Sequence, residues 1–172
     1  ETNWLSCLLL LEARHNRMHI EIHEHDFDLG EEYQALVDAS KNSGAQVLFV
    51  GRVRDFSDNQ SIKKLVLSHY PGMTENLIRR ICEKASQRWQ LLSIRVLHRV
   101  GELKAGDQIV MVGVSSEHRV DAFAGAEYIM DALKTEATFW KKEQFHDGQE
   151  RWLDMKTSDQ MKAAQWDKGE SE

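Results

Sequence analysis

The sequence predicts a single α+β domain built around a mainly antiparallel sheet. Its 172 residues are enough for one domain with a real core and too few for two ordinary ones. Helix-like and strand-like stretches alternate irregularly along the chain. No internal repeat and no linker divides it.

Each element has its own signal. His19 to His25 alternates, with Ile20 and Ile22 on one side, and reads as the first strand. A short helix follows at Glu31 to Asn42, with Tyr33, Leu36 and Val37 as its apolar stripe and Gly44 closing it. AQVLFVGRV, residues 45 to 53, is too continuously apolar for an exposed edge and reads as a central strand. RDFSDNQS, residues 54 to 61, is expected to be a flexible polar loop of the kind that orders around a ligand. Ile62 to His69 is a further strand, and the sole proline, Pro71, stands just after it.

Residues 73 to 89 carry Met73, Leu77, Ile78, Ile81, Ala85 and Trp89 at helical spacing. Ser93 to Val100 and Gln108 to Ser115 read as strands, with GELKAGD as a connection between them. A second long helix follows Glu117-His118-Arg119, with Phe123, Ala126, Ile129, Met130, Leu133 and Ala137 as its stripe. HDGQ, residues 146 to 149, is a hairpin turn between two short strands, and the polar tail from Thr157 holds a turn or two of helix ending at Trp166.

The opening ETNWLSCLLLLEARHNR fits this scheme poorly. Its apolar run, Trp4 to Leu11, is far short of a membrane span, and Glu1 stands where a signal peptide has basic residues. Met18 opens the first strand. Residues 1–17 are therefore expected to be an extension, foreign or mis-assigned, with an extra native helix as the alternative. The domain is expected to cover 18–166 and a polar tail 167–172.

Composition narrows the function classes. Apolar residues make up 41%, charged residues 29%, and the net charge is -6 with histidine neutral. Without a long basic block, gripping a nucleic-acid backbone is not the main task, because such affinity rests on neutralising phosphates. A local cationic pocket would suit a small anion better. Cys7 and Cys82 are the only cysteines and fit buried, inert thiols in a reducing compartment, the cytoplasm. No HExxH or paired cysteine set suggests a metal, GELKAGD lacks the spacing of a phosphate-binding P-loop, and no cofactor is expected. His19, His23 and His25 share a strand face without an assignable carboxylate.

The basic residues at element ends are the candidates for chemistry. Arg52 and Arg54 leave the central strand, His118 and Arg119 follow IVMVGV, Lys134 lies near the end of the long helix, and Lys141 seven residues beyond. They either converge on one pocket or are scattered solubilising charges. If they converge, crowded and desolvated lysines lose pKa and become proton-transfer groups or nucleophiles, while arginines stay charged and clamp phosphate. No serine or cysteine nucleophile accompanies a base, so the attacking atom would come from outside the chain.

FVGRVRD (49–55), LSHYPGM (67–73), HRVGELKAGDQIVMVGVSSEHR (98–119), YIMDALKTEATFWKKE (128–143) and RW (151–152) closely resemble the MoaE family, the large catalytic subunits of molybdopterin synthase. The likeness runs from about Met18 to Trp166. It implies an α/β hammerhead fold and a dimer of large subunits, each capped by a small ubiquitin-fold sulfur carrier, MoaD. The carrier's C-terminal Gly-Gly thiocarboxylate would supply the missing nucleophile and deliver sulfur to cyclic pyranopterin monophosphate (precursor Z). Two transfers would build the dithiolene of molybdopterin.

The same resemblance makes Lys134 the expected central catalytic residue, with Lys141 beside it. It makes Arg54, His118 and Arg119 pterin-phosphate or pocket residues. Lys156 stands where the bacterial pattern has arginine, which keeps the charge without two-pronged anion binding. Arg52 stands where lysine is expected.

Overall fold

The computed structural model describes residues 17–154 and 157–167. The expectations for residues 1–16, for Lys156 and for the last five residues lie outside them.

Nine strands and four helices follow one another among the described residues. They run β1 (Met18–His23), α1 (Leu29–Asp38), β2 (Ala45–Arg52), β3 (Phe56–Ser57), β4 (Gln60–His69), α2 (Met73–Arg88) and β5 (Leu91–Arg99). Then come β6 (Gly101–Lys104), β7 (Gln108–Ser116), α3 (Arg119–Thr135), β8 (Phe139–Phe145), β9 (Glu150–Leu153) and α4 (Thr157–Asp167). This is the expected α+β hammerhead arrangement, antiparallel except where β1 runs parallel to β5.

The main sheet has the order β1-β5-β7-β2, and its two central strands, β5 and β7, are largely buried because both faces are covered. β2, expected to be central, instead lies at the edge of this sheet, with Phe49 40% exposed. Val96, Val112 and Val114 pack with Ile78, Ile81 and Ile129 of α2 and α3. On the opposite face α1 lies over β5 and β7: Leu36 is fully buried there, Ser93 donates to its carbonyl at 3.3 Å, and Glu32 pairs with Arg95 at 2.6 Å. α1 begins at Leu29, two residues earlier than expected, because Asp28 caps it by accepting from the Glu31 amide at 3.0 Å. It ends at Asp38 rather than Asn42.

Two loop expectations are corrected. GELKAGD is not only a connection, since Gly101–Lys104 pairs with β4 and buries Leu103 completely. Four residues are too short a run to display alternation. The segment 54 to 61 is not a free loop either: Phe56–Ser57 pairs back onto Gln60–Ser61 across Asp58 and Asn59, both at positive φ.

The stripe of α3 is as expected except at Phe123, with Met130 and Ala137 packed at its margin. Ala122, Ala126, Ile129 and Leu133 are buried while Phe123 is 62% exposed. The helix approaches the sheet through small residues: a Cβ at Gly125 would stand 2.9 Å from the Leu91 methyls. The strands flanking the 146–149 turn form as expected, while the tail helix is a full 11 residues long.

Cys82 is fully buried, and burial pushes its thiol up to about 12, so it is inert as expected. Among the described residues no helix is long and apolar enough to cross a membrane.

Candidate active site

Lys134 and Lys141 reach one corner from different elements. Lys134 stands in the last turn of α3, with its side chain 43% exposed. Lys141 is in β8, paired with Leu67 on one side and Leu153 on the other, so its side chain leaves the same sheet face as the fully packed Leu67. It is recessed where Lys134 is reachable. Burial, and then the charge of Lys134, hold the Lys141 ammonium below the usual lysine range, and Asp159 opposes that shift. Crowding two ammonium groups was expected to depress at least one of them, and the buried one is affected.

The corner has a floor that sequence reading passed over. His98 ends β5 on the helix-covered face, 5% exposed, and its ring stacks on Phe139 with centroids 3.8 Å apart. Its Nδ1 lies 2.8 Å from the Arg99 carbonyl, so Nδ1 carries the proton and Nε2 is left as an acceptor. Burial lowers its pKa to about 3, with help from Lys141 and His69, and it is neutral at physiological pH. The signal was present: Ile94, Val96 and His98 share one parity of the strand. His69 leans on Phe139 from β4 and lies 3.6 Å from Glu75.

The other candidates do not all join this corner. β2 and β7 are antiparallel, with Ala45 beside Ser116 and Arg52 beside Gln108. The exit of β2 and the exit of β7 are therefore at opposite ends of the sheet. Arg54, exposed, follows the Gln108 end, which is also the end of β5 that carries His98. His118 and Arg119, both exposed, open α3 at the other end. Arg119 stands about 22 Å from Lys134 along the helix axis, at 1.5 Å per residue. One chain thus brings Lys134, Lys141 and His98 together and leaves His118 and Arg119 apart from them.

Arg52 is exposed and donates from Nε to the Gly106 carbonyl at 2.8 Å, a turn-bracing role. The N-terminal histidines do have a carboxylate nearby, Glu21, at 3.3 Å from His19 and 3.9 Å from His23. Among the described residues, however, no group of three or more such donors could hold a metal ion.

Known proteins share this sequence and fold. The family model described as MoaE protein matches residues 22–136. A molybdopterin synthase catalytic subunit from Vibrio cholerae is 48% identical over 148 residues, covering 86% of this chain and 97% of that protein. The solved MoaE protein from Burkholderia ambifaria superposes with a TM-score of 0.75 at 45% identity, covering 87% of this chain and 98% of that one. Molybdopterin synthase from Staphylococcus aureus gives 0.70 at 28% identity, covering 78% of this chain and 96% of that one.

Fold and likeness define the catalytic subunit of a sulfurtransferase in molybdenum cofactor biosynthesis. The chain belongs to the MoaE family, and its function is that of a molybdopterin synthase catalytic subunit.

Proposed function

We propose that the Lys134–Lys141 corner is where sulfur from a small ubiquitin-fold, MoaD-like carrier is transferred to cyclic pyranopterin monophosphate. The observation that carries this is the pairing of a reachable lysine with a recessed, pKa-lowered one over a neutral histidine. The thiocarboxylate sulfur of the carrier's terminal glycine bonds to a side-chain carbon of the pterin as a carbon–oxygen bond there breaks, the oxygen leaving with the opened phosphate ring in one round and as water in the other. Water then breaks the acyl–sulfur bond, leaving sulfur on the pterin and a carboxylate on the carrier. Two rounds make the dithiolene.

In this reading Lys134 contacts the reacting atoms, guiding the attack and the opening of the phosphate ring. Lys141, which loses its proton more readily, serves proton exchange beneath it and holds anionic atoms when charged. Arg54, His118, Arg119 and Lys156 bind the phosphate and pocket anions. Because a helix length separates Arg119 from Lys134, two copies of the chain form each pocket, one supplying the lysines and the other His118 and Arg119. The names of the relatives, as catalytic subunits, support a separate carrier chain. The reduced, buried Cys82 suits a cytoplasmic location.

The test is product formation with thiocarboxylated carrier and precursor Z. Lys134→Ala is expected to stay folded, bind the carrier and lose about 10²–10⁴-fold in rate, the usual worth of a positioned proton-transfer group. Lys141→Ala is expected to be milder. Near-normal turnover by Lys134→Ala would sink the assignment.

A further inference from the structure

The C-terminal helix is fastened to the body by an aromatic latch. Trp166 meets Trp89 and Tyr128 edge-on, with ring centroids 5.5 and 5.6 Å away. The Arg88 guanidinium lies 5.0, 5.2 and 5.8 Å from the rings of Trp89, Tyr128 and Trp166. Arg88 also donates to the Trp166 carbonyl at 2.8 Å, and the Trp166 indole donates to Asp131 at 3.0 Å. Asp131 is itself 9% exposed and one helical turn before Lys134. A tryptophan tied by stacking, a cation and its own N–H holds its helix in one place.

Seven residues before Trp166, two turns back along α4, comes Asp159. Its Oδ1 lies 3.4 Å from Lys134 Nζ, and its side chain is only 21% exposed. It is the carboxylate that faces the lysine corner. The other groups around that corner are Lys141 from β8, neutral His98 from β5, and His69 from β4, itself close to Glu75 of α2. Glu136, two residues beyond Lys134, is 3.7 Å from Lys84 of α2. Asp159 alone of these carboxylates pairs with either lysine among the described residues.

We propose that Asp159 is a positioning residue for the sulfur-transfer site: α4, pinned by Trp166, carries its carboxylate to the Lys134 ammonium and sets how the two lysines stand. This rests on the lysine corner being the reaction site. Asp159 does not need to touch pterin or carrier. It fixes the direction of the Lys134 side chain, and its charge also reaches Lys141, where it works against burial and against Lys134.

The consequence is a pH signature. Removing the Asp159 charge lowers the Lys141 pKa further, so the lysine-dependent limb of the rate profile moves to lower pH. For Asp159→Asn a downward displacement is expected, smaller than those that burial and Lys134 impose. Asp159→Glu restores the wild-type limb. Trp166→Ala, with Asp159 intact but α4 unlatched, gives the same downward displacement, and Trp166→Phe a smaller one.

The experiment pairs pH–rate profiles of these variants with NMR titration of isotope-labelled Lys141, which needs no turnover. A shifted limb together with a shifted Lys141 titration supports the proposal. Profiles and titrations of Asp159→Asn that superimpose on wild type, with or without a uniform loss of rate, overturn it. A wild-type chain without sulfur transfer would instead refute the underlying reading, and the Lys141 titration would still decide the role of Asp159.

Discussion

Arg119 and Lys134 begin and end the same helix, about 22 Å apart, so no single copy of α3 can place both on one small substrate. If the anion-binding end of one copy serves the lysine corner of another, the two variants complement each other. Arg119→Ala and Lys134→Ala are each expected to be nearly inactive alone. Mixed and allowed to exchange subunits, they regain activity through pockets that combine an intact Arg119 from one chain with an intact Lys134 from the other. Light scattering should show a dimer at micromolar concentration. A strict monomer, or a mixture no better than its parts, would mean that the pocket is built within one chain.

Arg119 also makes a prediction about binding. Loss of a charge-assisted contact to phosphate costs about 1.5–3 kcal/mol, roughly 10- to 150-fold in affinity. Arg119→Ala is expected to weaken precursor binding by that amount while leaving carrier docking little changed. Calorimetric titration of each partner separates the two.

His98 couples the site to acid stability. It is neutral and buried when folded, with a pKa of about 3, and takes up a proton near 6.5 when unfolded. Between those values the unfolded state binds more protons, so stability rises with pH. The contribution is complete above about pH 6.5 and is lost as pH falls toward 3, at up to about 1.4 kcal/mol per pH unit. Denaturant melts of His98→Phe should show a flatter dependence over this window. An unchanged slope would mean that another group dominates it.

Gly44 holds the start of α3 in place. Its amide donates to the Ser116 carbonyl at 3.0 Å, and a Cβ there would lie 2.3 Å from the Glu117 carbonyl oxygen. That contact is with backbone, which cannot swing away. Gly44→Ala is expected to cost about 1–3 kcal/mol and to displace His118 and Arg119 at the start of α3. A melting curve superimposable on wild type would show that the strand end yields freely.

Much of this was legible from local patterns. Alternation gave away β1, a continuous apolar run the existence of β2 though not its place at the sheet edge, helical spacing α2, and Asp-Gly the last hairpin, because these signals depend only on neighbours in sequence. Lys134 and Lys141 were legible as candidates because KTEATFWKK joins a helix end to an aromatic strand, seven residues apart. The four-residue β6 was not, since its pairing is decided by a distant strand, β4, with Lys64 opposite Lys104 and Leu67 opposite Gly101, 40 and 34 residues apart. The exposure of Phe123 also escaped: it fits the apolar stripe by spacing, but α3 comes closest to the sheet through Ala122 and Gly125.

What the sequence determined by itself is the set of elements and the kinds of side chain at their ends, since propensity and periodicity act over a few residues. Only tertiary structure decided which ends meet. Antiparallel pairing of β2 with β7 sends Arg54 and His118 to opposite ends of the sheet, a choice between convergence and scatter that the sequence left open. Burial set His98 beneath the lysines as a neutral ring. Asp159 reaches Lys134 across 25 residues of chain because Trp166 finds its cage against α2 and α3. A packing contact of that span leaves no trace in local pattern, for its energy comes from surfaces that exist only once the chain is folded.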